Sequence, residues 1–181
     1  SNNSIDDASA ISTLTRLEVL DLSNNRVSKL AVSTANTALK TVDLSHNDLS
    51  DILFLNQTSR IETLDLSHNS IQSVSSLNAL ISVSNLNLSN NRLSSLNDFS
   101  AWTGLTVLRA ANNQLTDISK LTALSKLVEL DLDTNQLTSI DNLKSMTSLK
   151  VLNVKSNQLT SVAALGSLSL LTQLNVAKNQ I

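Results

Sequence analysis

The chain has 181 residues, of which 41% are hydrophobic and 15% charged, with a net charge of −2. That is enough apolar material for a continuous core, and neither acidic nor basic enough for a disordered tail or a nucleic-acid-binding patch. Cysteine and proline are absent, which excludes a disulfide framework, a Cys-ligated metal and a proline-rich linker. No apolar run approaches the ~18 residues that span a bilayer, and the opening SNNSIDDASA lacks the basic flank and apolar stretch of a signal peptide.

Residues 1–16 read as part of an earlier repeat, with Asn3, Ile5, Ile11 and Leu14 at its characteristic positions. At Leu17 the string LEVLDLSNNRV opens the pattern L-x-x-L-x-L-x-x-N-x-L, in which Val, Ile or Ala sometimes replaces Leu. The pattern starts again at Leu39, Ile61, Val83, Leu105, Leu127, Leu149 and Leu171, each start 22 residues after the last. Self-similarity at a fixed period is the signature of a solenoid, in which each unit buries its apolar face only against its neighbours. Within a unit the apolar residues alternate, as at Leu20 and Leu22, Leu64 and Leu66, or Leu130 and Leu132. This predicts a short strand with one face inward, stacked in parallel on the next at roughly 4.8 Å.

The second half of each unit carries apolar residues three apart: Val74, Leu77 and Leu80; Ile118, Leu121 and Leu124; Ile140, Leu143 and Met146; Val162, Leu165 and Leu168. That spacing fits a 3₁₀ or short α turn with one buried stripe. Phe99 and Trp102 take the same slots and are expected in the core. The first copy departs, with Ser33 and Asn36 where Leu is expected, so a bent segment with Val32 or Ala35 substituting is expected there. The invariant position is Asn: Asn25, Asn47, Asn69, Asn91, Asn113, Asn135, Asn157 and Asn179. An amide offers donors and an acceptor together, so these eight are expected to form a structural ladder behind the strands. The chain stops at Ile181, inside the unit that begins at Leu171, and reads as a single repeat domain cut from a longer protein.

These motifs resemble the leucine-rich repeat family, in its 22-residue SDS22-like subclass, a unit also used by bacterial internalins. The marker is the second-half pattern, as in NQLTSIDNLKSMTSL from Asn135 to Leu149. The resemblance implies an α/β leucine-rich repeat solenoid, curved and right-handed, with parallel strands on the concave face and short 3₁₀ or α turns on the convex face. It also implies a protein partner bound on the concave surface, in roles as different as phosphatase regulation and host-cell adhesion.

The outward strand residues are what such a partner would meet. Between the two central apolar positions runs the column Asp21, Asp43, Asp65, Asn87, Arg109, Asp131, Asn153, Asn175. Glu129 and Asp133 flank Asp131 on the same face, and His46 and His68 are expected to stack on neighbouring strands beside Asp43 and Asp65. The candidate partner-binding residues are therefore Asp43, His46, Asp65, His68, Arg109, Glu129, Asp131 and Asp133. Two histidines beside two carboxylates also raise a metal site or a pH-sensitive patch, against the plain reading of a duplicated DLSHN string; we assign no metal and no cofactor. A surface pair between Arg109 and Asp131 is the unremarkable reading of the arginine, and Asp65 is expected to be replaceable at little cost.

No cysteine nucleophile, Gly-rich phosphate loop or H-E-x-x-H motif is present, so a non-enzymatic reading is preferred. Net charge and the lack of outward aromatics argue against nucleic acid, and no basic amphipathic helix points to a membrane surface. The charge-poor, Ser/Thr/Asn-rich composition favours an extracellular or cell-surface receptor, adhesin or secreted scaffold. The alternatives are a cytoplasmic regulatory or scaffolding subunit and a structural spacer. Sequons at Asn2, Asn56 and Asn87 discriminate nothing in a chain so rich in these residues.

Overall fold

The computed structural model describes residues 3–32, 34–96, 99 and 101–181. Each repeat contributes one three-residue strand: β1 (Val19–Asp21), β2 (Thr41–Asp43), β3 (Thr63–Asp65), β4 (Asn85–Asn87), β5 (Val107–Arg109), β6 (Glu129–Asp131), β7 (Val151–Asn153) and β8 (Gln173–Asn175). All are parallel and pair only with their sequence neighbours in one open, curved sheet. The register advances by one whole repeat per strand, with Leu20 opposite Val42, Val42 opposite Leu64, and so on to Leu152 opposite Leu174. The middle residue of β2 to β7 is buried and its two neighbours are half-exposed, as alternation requires.

The strands end sooner than the alternation alone suggests. Three residues after each strand the backbone enters the left-handed region, with φ between 53° and 57° at Asn24, His46, His68, Asn90, Asn112, Thr134, Ser156 and Lys178. Asn and His tolerate this conformation well, whereas β-branched Thr134 is strained there. His46 and His68 therefore sit in these turns and not on strands, a correction to the sequence reading; period-two alternation no longer holds once the chain has turned. The turn amides still bond across repeats: His46 N–H donates to Ser67 O at 2.9 Å and His68 N–H to Ser89 O at 2.9 Å.

The asparagine column joins each repeat to the one before it. Asn113 Nδ2 donates to Leu88 O at 3.0 Å and shares its protons with Ala110 O and Ala111 O, both at 3.2 Å. Its Oδ1 accepts from Leu93 N–H at 2.9 Å. The same set recurs at Asn47, Asn69, Asn91, Asn135, Asn157 and Asn179. Asn25 bonds Leu22 O and Ser23 O in its own turn and accepts from Ile5 N–H at 3.2 Å.

Behind the sheet a single apolar cluster runs from Ala8 to Leu168. Its far side is closed by 3₁₀ turns at Leu53–Gln57, Ser75–Ala79, Ser119–Leu121, Asp141–Ser145 and Ala163–Ser167, with Ser9–Thr13 at the N-terminal end. Phe99 and Trp102 are fully buried with ring centroids 4.7 Å apart. Trp102 Nε1 has no hydrogen-bond partner among the described residues, a desolvation cost of about 1–3 kcal/mol.

The first copy has no 3₁₀ turn among its described residues. Val32 is buried, as expected, but Ala35 is exposed. Asn36 itself fills the Leu slot at 1% exposure and donates through Nδ2 to Ile11 O at 3.2 Å and Leu14 O at 3.1 Å. A buried amide is tolerable where it meets backbone carbonyls of the preceding turn. Thr58 does likewise in the second copy, buried with its hydroxyl donating to Leu55 O at 2.9 Å. Ser33 and Asn2 lie outside the described residues. At the two edges Leu14 is 50% and Leu174 47% exposed, whereas Ile11, Leu171 and Val176 pack partly against the core.

Candidate protein-binding face

The outward column that contains Asp43, Asp65, Arg109 and Asp131 first serves the fold. At seven of its eight positions the side chain is Asp or Asn, and Oδ1 accepts the backbone N–H two residues on. The distances are 2.9 Å at Asp21, 2.9 Å at Asp43, 2.8 Å at Asp65, 3.1 Å at Asn87, 3.1 Å at Asp131, 3.2 Å at Asn153 and 3.2 Å at Asn175. Each bond steers the chain out of the strand into the left-handed turn. This explains how Asp21, Asp43 and Asp65 stand side by side on adjacent strands: each carboxylate has donors of its own. The hydrogen bonds from the Ser23 side chain and backbone N–H hold the Asp21 carboxyl below its ordinary pKa. Asp65 also accepts Ser67 Oγ–H at 2.6 Å and Asn87 Nδ2–H at 2.9 Å, so it is more deeply engaged than the sequence suggested.

Arg109 is the exception, because a guanidinium has no acceptor. It lies opposite Asn87 and Asp131 in the register, but its ion pair is made diagonally. Nη2 and Nε approach Glu129 Oε1 at 2.7 and 2.8 Å. The Arg109–Asp131 pair, the unremarkable reading of the sequence, gives way to Arg109–Glu129, since the long side chain reaches back along the strand and Asp131 is occupied with its own turn. Asp131 is half-buried, and that burial raises its pKa, opposed chiefly by the bond from Asp133 N–H. Asp133 in turn lies 3.8 Å from Lys155 Nζ, its neighbour one repeat on in the same column.

His46 and His68 stack face to face at their exposed turn positions, with centroids 3.8 Å apart and planes 12° from parallel. His68 Nε2 is 3.1 Å from Asn90 Nδ2. Burial, then the charge of His46, lowers the His68 pKa, against a smaller raising effect of Asp65. Near-parallel rings hold their nitrogen lone pairs in separate planes, a poor geometry for chelating one ion. Among the described residues no three His, Cys, Asp or Glu side chains come together as a metal site. Among them, too, no helix is long and apolar enough to cross a membrane.

Leucine-rich repeat models match residues 103–145 (a two-copy unit), 125–181, 35–52, and both 16–35 and 60–80. The chain is a leucine-rich repeat solenoid. Internalin C2 of Listeria monocytogenes superposes with a TM-score of 0.88 at 29% identity, over 96% of this chain and 77% of its own. The PEPR1–AtPEP1 structure superposes at 0.81 with 27% identity, covering 98% of this chain but 27% of its own. A TDR receptor at 22% identity (TM-score 0.82, 98% of this chain and 34% of its own) shares the fold. No curated protein matches the chain by sequence.

Proposed function

We propose that this chain is a protein-recognition domain that takes a protein partner across the concave sheet face between Asp43 and Asp133. We place it outside the cell or on its surface, in a receptor, adhesin or secreted scaffold. Arg109 carries this reading. Its column is otherwise given to Asp and Asn side chains that close their own turns, and arginine gives up that bond. The residue therefore serves something other than the turn. Glu129 engages Nε and Nη2 and so orients the guanidinium, while the side chain stays 38% exposed with further N–H donors on its fork. A pre-oriented arginine is a typical anchor at protein interfaces. The likeness to internalin C2 and a composition low in charge support the extracellular placement.

The test is retention of a partner on the immobilised chain, followed by calorimetric titration of the retained protein. Arg109→Ala is expected to weaken binding by about 1–3 kcal/mol, and Lys144→Ala, on the exposed convex turn Asp141–Ser145, is expected to be silent. Loss of binding in Lys144→Ala with full binding in Arg109→Ala would overturn the concave-face reading.

A further inference from the structure

His46 and His68 are the only histidines in the chain, and the repeat brings them into one stack with ring centroids 3.8 Å apart. The stack sits on the backbone ladder between the second and third copies: Asn47 N–H donates to His68 O at 3.2 Å, beside the bond from His46 N–H to Ser67 O at 2.9 Å. The equivalent slots of the neighbouring repeats hold Asn24 and Asn90, neutral side chains at every pH of interest. We propose that the His46–His68 stack is a pH-sensitive joint between these repeats, closed while at least one ring is neutral and loosened when both are protonated.

Two imidazolium rings at van der Waals distance repel, so the second proton enters a site already occupied by a like charge. The surrounding charges do not cancel this. Asp43 and Asp65 end the strands that lead into the two turns, but each carboxylate accepts a backbone N–H of its own turn, from Ser45 and Ser67. Asp48 follows His46 by two residues, Arg26 lines the same shallow depression as His46, and Arg92 follows Asn90 by two. Asn90 touches His68 Nε2 and can donate its amide proton only to the unprotonated nitrogen. A second proton therefore costs this bond too. Burial first, and then the charge of His46, lower the pKa of His68 against the smaller opposing effect of Asp65. This inference is independent of where a partner binds.

The experiment is an NMR titration of the two imidazoles from pH about 7.5 to about 5, spanning the ordinary histidine value, with amide exchange measured over the same range. The wild-type chain is expected to titrate in two coupled steps, with His68 below the ordinary range. Corrected for intrinsic rate, exchange at Asn47 is expected to rise several-fold on acidification relative to Asn113, its counterpart three repeats on. His68→Asn, which installs the occupant of Asn24 and Asn90, is expected to leave His46 titrating in a single step and to abolish the acid-dependent exchange at Asn47. Independent titration of both rings at the ordinary value in the wild-type chain overturns the proposal. So does an acid response at Asn47 that persists unchanged in His68→Asn.

Discussion

The asparagine ladder ties each repeat to the one before it, and Asn113 is the place to test it. Removing its amide in Asn113→Ala leaves the N–H of fully buried Leu93 without an acceptor, and deprives Leu88 O, Ala110 O and Ala111 O of a shared donor. One orphaned buried donor costs about 1–3 kcal/mol and each lost neutral bond about 0.5–1.5 kcal/mol. Because two amide protons serve three carbonyls, the total should be roughly 3–5 kcal/mol, read by equilibrium urea denaturation. Asn113→Asp separates donor from acceptor. The carboxylate keeps the bond from Leu93 N–H but faces three carbonyls, so protonation should be favoured in the folded state. Its folded pKa then lies above the unfolded one, and the stability it contributes is present at low pH and lost as pH rises. The Asp variant should therefore be markedly weaker at neutral pH and recover part of the loss on acidification, whereas the Ala variant should show no such recovery. Asn25→Ala should cost less than either, since its amide donates only to its own turn and accepts one bond at 3.2 Å. Equal losses at Asn25 and Asn113, or no acid recovery in Asn113→Asp, would refute the account of the ladder as the tie between repeats.

Further predictions concern the strands. Leu64→Ala and Leu66→Ala, at residues exposed by 1% and 0%, should each destabilise by about 2–5 kcal/mol in the same assay. Asp65→Ala should cost about 1–2 kcal/mol, more than the outward position alone implies, because three donors converge on that carboxylate; no loss there would sink the turn-closing role of the column. Asp131→Asn keeps an acceptor for Asp133 N–H and removes a carboxyl whose pKa burial raises. The raised pKa means that Asp131 opposes folding once ionised. The substitution should therefore raise the urea midpoint at neutral pH, with the gain vanishing below the ordinary carboxyl range of about 4. A gain that is the same at acid pH would assign it to something other than charge.

Much was decided by local sequence. A strictly kept 22-residue period, apolar alternation at pairs such as Leu64 and Leu66, and spacing of three in stretches such as Ile140 to Met146 determine the solenoid, its core and the asparagine ladder, because each is a nearest-neighbour property repeated without interruption. Tertiary structure decided what depends on two repeats at once. It placed His46 and His68 in left-handed turns, where the sequence reading had stacked them on strands. It gave Arg109 to Glu129, since the diagonal reach of a long side chain is invisible in a column of aligned letters. It set Asn36, and not Ala35, into an apolar slot, because the carbonyls of Ile11 and Leu14 that satisfy the amide come from the preceding turn. Periodicity specifies which face a residue is on; which neighbour it meets there is settled only when the repeats are laid side by side.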